Sequence, residues 1–198
     1  NAAYGTNSLS TNTGGSANAA YGHQSLKSNV SGTYNTASGF RSMYSNTTGD
    51  QNVANGNNSM YSNTTGTYNT ATGAYSLYKG TTSSENTANG YSSLKENTTG
   101  SANTALGYKS GDVITTGSNN VVLGTSADPS ANSASNQIVI GANAVGHGDN
   151  ITVIGNTDMT AIHPADDNGV DLGSSSYEFK NLYVDGVAYL DELDLNGT

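Results

Sequence analysis

The stretch NTTGTYNTATGAYSLYK (residues 63–79) repeats, with drift, the stretch NTTGDQNVANGNNSMYS (residues 46–62) just before it. Asn, Gly and one Leu or Met keep their places while the other side chains change. The interval is 17 residues, and one glycine column follows it through the chain: Gly5, Gly22, Gly39, Gly56, Gly73, Gly90, Gly107, Gly124 and Gly141. Four residues before each glycine stands Asn1, Asn18, Asn35, Asn52, Asn69, Asn86, Asn103 or Asn120, with Gln137 completing the column. Two residues before it come Ala3, Ala20, Ala37, Ala54, Ala71, Ala88 and Ala105, then Val122 and Val139. Self-similarity at a fixed period marks a repeat architecture. A unit of 17 residues is too short for a helical hairpin and suits one turn of a parallel β-solenoid.

Further columns describe the turn. Three residues after the glycine lies Ser8, Ser25, Ser42, Ser59, Ser76, Ser93 or Ser110, followed by Leu9, Leu26, Met43, Met60, Leu77 or Leu94. A second glycine column, Gly15, Gly32, Gly49, Gly66, Gly100 and Gly117, is broken by Ser83. Glycine takes positive φ without a Cβ penalty and Asn tolerates it, so these columns mark corners or close backbone approach. No segment before residue 176 keeps the i, i+3, i+4, i+7 apolar spacing of a helix. The pattern predicts one coil per repeat, each with two short strands, and Leu9, Leu26, Met43, Met60, Leu77 and Leu94 in one buried column.

The core this offers is thin. Each early unit carries one large aliphatic residue and a small Ala, and the chain is 33% hydrophobic. Ordering each residue costs roughly 1–2 kcal/mol of backbone entropy, so a lone solenoid of this composition is marginal and is expected to share its core with copies of itself. The Asn, Ser, Thr and Gly content admits low-complexity disorder as a competing reading. Strict register through nine units argues against it, since a linker has no reason to place its Leu or Gly.

Later units change character. NNVVLGTSA (residues 119–127), NQIVIGANAVGHGDN (residues 136–150) and ITVIGN (residues 151–156) carry β-branched residues on both strand faces. Successive strand residues point to opposite faces, so Val122 and Val139 face one way while Leu123 and Ile140 face the other. A strand apolar on both faces is buried on both. One face fills the coil, and the other, with Ile138, Ile140, Ile151 and Val153, is expected to be covered by symmetry-related chains.

The stretch IVIGANAVGHGDNITVIGN (residues 138–156) resembles the head repeat of trimeric autotransporter adhesins, whose units centre on an AIG or VIG strand spaced about fourteen apart. Gly141 to Gly155 is such a fourteen-residue step. The upstream NTALGYKSG and SMYSNTTG units are similar to a longer version in bacterial surface proteins and phage tail fibres. The resemblance covers roughly residues 1–157 and implies a left-handed parallel β-roll with three chains side by side. From Thr157 the vocabulary differs, and DLGSSSYEFKNLYVDG (residues 171–186) is similar to segments near the C-terminal end of phage tail-fibre proteins, often ahead of an endosialidase-type intramolecular chaperone. No such chaperone follows, so it was removed or the chain is an excerpt. Neither end carries a cap of the kind an open solenoid edge needs, and more chain is expected on one or both sides.

Composition excludes several function classes. There is no cysteine for disulfides or thiol chemistry, and no apolar run approaches the roughly 20 residues of a membrane span. The formal charge is −9, and the basic residues Lys27, Arg41, Lys79, Lys95, Lys109 and Lys180 are scattered along the sequence. A nucleic-acid binder needs a basic stripe, and this reading expects none.

Chemistry is sparse. His23, His147 and His163 have no second ligand at metal spacing. GHGDN (residues 146–150) resembles a calcium-binding nonapeptide once only and reads as a corner. Asp166 and Asp167 precede Asn168-Gly169, a β-turn. The NTTG sequons at Asn46, Asn63 and Asn97 fall at a repeated corner, which explains them without sugar. Tyr44, Tyr61 and Tyr78 stack as a ladder or present rings to sugars. Thr47, Thr64, Thr81, Thr98 and Thr115, with Thr48, Thr65, Thr82, Thr99 and Thr116 beside them, resemble the arrays of ice-binding proteins, although neighbouring residues point apart and only one of each pair can face a lattice.

The reading is an all-β protein. Residues 1–117 form seventeen-residue solenoid repeats, 118–157 adhesin-head-like β-roll repeats, and 158–198 an intertwined trimeric β-structure in which Phe179, Leu182, Val187, Tyr189, Leu193 and Leu195 clamp three chains. The expected function is a structural fibre segment of a virion, a phage tail fibre, serving host attachment. A bacterial surface trimeric adhesin is the alternative, and an ice-binding solenoid a third. The expected partners are its own copies, other fibre or baseplate proteins and a host receptor, a glycan among the candidates. No catalytic, cofactor or metal residue is assigned, and no receptor-binding residue is identified.

Overall fold

A computed structural model describes residues 1–164, 172–174 and 176–188. Its described residues form ten strands of three residues each and no helix: β1 Ala2–Tyr4, β2 Ala19–Tyr21, β3 Thr36–Ser38, β4 Val53–Asn55, β5 Thr70–Thr72, β6 Thr87–Asn89, β7 Thr104–Leu106, β8 Val121–Leu123, β9 Ile138–Ile140 and β10 Thr152–Ile154. They stack in chain order as one parallel sheet, each residue paired with its equivalent 17 positions on, as in Ala54 with Ala71. The last pairing, Val153 with Val139, has the shorter fourteen-residue step. The chain is a parallel β-solenoid with one repeat per coil.

The second strand expected in each coil is absent from the described residues. After each strand the chain instead runs through a turn in which two ordinary residues take the left-handed conformation: Gln24 and Leu26, Arg41 and Met43, Asn58 and Met60, Tyr75 and Leu77, Ser92 and Leu94, with φ between 48° and 58°. Each such residue costs roughly 1–2 kcal/mol. The cost is offset because the Leu or Met side chain is 0–1% exposed and its amide donates to the next coil, as Met60 N does to Ser76 O at 2.9 Å. Leu9, on the outermost coil, is only partly buried.

Inside the coils, Ala20, Ala37, Ala54, Ala71, Ala88, Ala105, Val122 and Val139 meet the Leu and Met column in one continuous core. Beside them run two buried asparagine ladders. In the first, Asn52 N donates to Asn35 Oδ1 at 3.0 Å and Asn52 Nδ2 donates to Gly66 O at 2.8 Å. In the second, Asn46 Nδ2 donates to Asn29 Oδ1 at 2.7 Å and to Gly49 O at 3.0 Å. Buried amides satisfied in this way hold the register of one coil on the next.

Both glycine columns sit where neighbouring coils approach closely, and the first also takes a positive φ. At Gly73 φ is 122°, which a side chain rarely adopts. The second column, read from the sequence as corners or close approach, is a site of close approach: a Cβ on Gly32 would lie 2.5 Å from both Gly49 O and Asn29 Oδ1. Ser83 breaks this column, and Gly80 breaks the second asparagine ladder in the same coil. The two exceptions compensate, because a Cβ on Gly80 would lie 2.7 Å from Ser83 Oγ. The exchange leaves Asn63 Oδ1 and Ser83 Oγ buried without partners.

The residues divide into two compact units, Asn1–Met159 and Thr160–Thr198. In the second unit the described residues include one antiparallel bridge, Ser174 to Tyr177, and all are exposed. Of the clamp residues, Tyr189, Leu193 and Leu195 lie outside the described residues, as does the turn at Asp166 and Asp167. No helix among the described residues is long and apolar enough to cross a membrane.

The paired exceptions generate a prediction. Replacing Gly80→Asn together with Ser83→Gly restores the second ladder and the glycine column and gives Asn63 Oδ1 a donor, so the double variant should gain about 1–2 kcal/mol in urea unfolding. Gly80→Asn alone should destabilise by crowding Ser83. Additive effects of the two changes would count against this coupling.

Candidate functional site

Most residues nominated from the sequence have a structural task. Asn46, Asn63 and Asn97, the asparagines of the NTTG sequons, are 0–1% exposed with their Nδ2 groups donating within the coil stack, so the folded coils leave none of these three amides free for sugar. Asp149 of GHGDN accepts from Ser135 N at 2.8 Å, as a corner residue does. Thr47, Thr64 and Thr98 donate to the carbonyl of the next coil at 2.9 Å, while Thr48, Thr65, Thr82, Thr99 and Thr116 form one exposed file. His147 and His163 are exposed. No group of three His, Cys, Asp or Glu placed to hold a metal occurs among the described residues.

The tyrosines form a ladder whose faces are used up by one another. Tyr44 stacks on Tyr61 at 5.1 Å and Tyr61 on Tyr78 at 5.3 Å, with ring planes within 22°. Tyr75 then turns edge-on, 5.6 Å from Tyr78 and 6.0 Å from Tyr91, and Tyr91 stacks on Tyr108 at 5.5 Å. Six tyrosines thus make an unbroken track. At its start His23 stacks on Phe40 at 5.4 Å.

The basic residues gather along this track. Lys27 Nζ donates to Tyr44 Oη at 3.1 Å. The Arg41 guanidinium lies 5.0 Å from the Phe40 ring centre and 5.7 Å from that of Tyr44, and its Nε donates to Gln24 Oε1 at 2.8 Å. Lys109 lies 5.6 Å from the Tyr108 ring. Lys79 pairs with Glu96, and Lys95 lies 3.8 Å from the same carboxylate. Five of the six basic residues therefore occupy the turn that follows the strand, against two carboxylates there, Glu96 and Asp112, on a chain of net charge −9. The expectation of scattered charge is corrected by the coil: Lys27 and Lys95, and likewise Arg41 and Lys109, stand at equivalent positions of the repeat.

Past this strip the turn becomes acidic. Asp128 follows Leu94 and Gly111 at the position of the Leu column. Burial pushes its carboxyl up to about 6, and Asp112 nearby adds to the shift, against the amides of Val113 and Asp112. Burial likewise raises Asp112, with Lys109 opposing. One oxygen of Asp128, Oδ1, is buried without a partner.

No family model, curated protein or solved structure matches this chain.

Because the folded state raises the Asp128 pKa from 3.8 to about 6, it binds the proton more readily than the unfolded chain. The destabilisation is full above the folded value and fades as pH falls from about 6 toward the unfolded value near 4. Asp128→Asn should raise the melting temperature by a few degrees at pH 7.5 and leave it unchanged at pH 4. An equal gain at both values would show that the carboxylate charge is not the cause.

Proposed function

We propose that this chain is a segment of a homotrimeric fibre, a phage tail fibre at the virion surface, that serves attachment to a host cell. The observation that carries the reading is apolar surface left without cover on a coil stack whose interior is complete. Leu106, Ile138, Ile140 and Ile154 point outward from β7, β9 and β10 and are 37–51% exposed. In the second unit Leu172, Tyr177, Phe179, Leu182, Tyr183 and Val187 are 65–89% exposed. Leu106, Leu123, Ile140 and Ile154 are in register on neighbouring strands, and an exposed apolar column of this kind marks an interaction site. Copies of the same chain, set side by side in register, offer matching columns around a three-fold axis.

A stack of hydrogen-bonded coils suits a mechanical role. Each coil adds about 4.8 Å of length and meets only its neighbours, so the unit extends by repetition. The wording of residues 171–186, similar to the ends of tail fibres, favours a virion over a bacterial surface adhesin. Other fibre or baseplate proteins and a host receptor complete the partners.

Light scattering should give about three times the 20.1 kDa chain mass. The double variant Ile138→Ser with Ile140→Ser should shift the mass downward while the upstream coils keep their circular dichroism. An antibody against residues 1–113 should label virion tails in electron micrographs. A stable folded monomer at micromolar concentration would overturn the fibre reading.

A further inference from the structure

We infer that the strip running from His23 and Lys27 to Tyr108 and Lys109 binds an extended acidic polysaccharide laid along the coil axis. The inference rests on the attachment reading and names the ligand class. The strip spans six successive coils, a length of about 24 Å at the rise of parallel strands. Lys27, Arg41 and Lys109 make no ion pair among the described residues, so their charge is available to a ligand. Arg41 is already positioned, held by Gln24 Oε1 and by the rings of Phe40 and Tyr44. A guanidinium fixed in this way presents a fork that fits a carboxylate.

The tyrosines decide between polymers. Apart from the edge-on Tyr75, their faces stack on one another, so edges and hydroxyls are most of what the track offers outward. Hydroxyl edges suit the hydrogen-bonding periphery of sugars. A single-stranded nucleic acid needs open ring faces on which bases stack. Its charge density, one phosphate per about 3.4 Å of each strand in a duplex, also calls for more than the strip's surplus of three positive charges. A polymer with widely spaced carboxylates matches two cation rows, since Arg41 and Lys109 stand four coils, about 19 Å, apart.

The chain has no Trp, and six of its 13 Tyr form the track, so tyrosine emission responds to a ligand bound there. Hyaluronate oligomers, which carry a carboxylate on every second sugar only, should change that emission saturably, and the fully methyl-esterified oligomers should bind at least tenfold more weakly. Arg41→Gln with Lys109→Gln should weaken binding at least tenfold at an unchanged melting temperature, whereas Lys180→Gln, in the second unit, should not. If the double variant loses its fold, Lys27→Gln alone should still weaken binding several-fold. The inference fails if the parent does not bind hyaluronate, if the ester binds equally well, if the strip variants bind like the parent, or if a single-stranded oligonucleotide of equal charge binds more tightly. Light scattering on the same samples separates the two readings: a trimer without binding sinks the strip and leaves the fibre, while a monomer that binds does the reverse.

Discussion

The carbonyl of the second glycine column is the point on which the coil stack depends. Gly49 O accepts Asn35 Nδ2 at 2.7 Å and Asn46 Nδ2 at 3.0 Å, so both asparagine ladders converge on one backbone atom. The preceding coil must come close enough for that arrangement to repeat, and a Cβ on Gly32 would lie within 3.0 Å of Gly49 O, Asn29 Oδ1 and Asn46 Nδ2. Glycine and the two asparagines are therefore one interlocked unit. An amide removed from such a ladder leaves its neighbour buried and unpaired, at about 1–3 kcal/mol each. The sequence repeats at these positions because each rung needs the next.

The same logic explains where drift is tolerated. Outward strand positions run Ala, Thr, Val and Ile, and the turn positions hold Thr, His, Phe, Asn, Ala or Tyr without disturbing a ladder. Even the ladder accepts a change when it is made in pairs, as at Gly80 and Ser83. Where Ile114 ends the second ladder at 0% exposure, Asn97 Oδ1 is left unpartnered. Beyond it, apolar residues such as Ala127 and Ala144 occupy positions that upstream coils fill with serine. Hydrogen-bonded polar filling thus passes into apolar filling along one continuous sheet.

Much of this was legible in the sequence. The period placed the coils, the alternation in Val121–Leu123 placed Val122 inside, and the Leu and Met column was buried where expected. The second strand was misread because left-handed backbone at Leu26, Met43 or Tyr75 is imposed by coil closure and carries no residue signal of its own, unlike a glycine. The strip was missed because charge was read along the chain instead of modulo the repeat. Taken at the period, Lys27 with Lys95 and Arg41 with Lys109 were visible as pairs. What no sequence reading supplied is the contact between columns, such as Arg41 reaching the Tyr44 ring, since it depends on how the turn bends.

None of the strip's residues lies on a strand, and that separation bears on how attachment could work. The outward apolar columns of β7, β9 and β10 and the cation and tyrosine columns belong to different segments of the coil, so assembly and ligand binding draw on different side chains. A surplus of three charges, on Lys27, Arg41 and Lys109, would give weak binding per chain, because exposed ionic contacts contribute only about 0–1 kcal/mol each. Repetition changes that arithmetic. In the proposed trimer three chains would present three strips, and once one was engaged the others would meet the same polymer at an effective concentration in the millimolar range for short spans. A surface too weak to hold a ligand singly could then hold it through number, which suits a fold that sets its exposed columns in register from coil to coil.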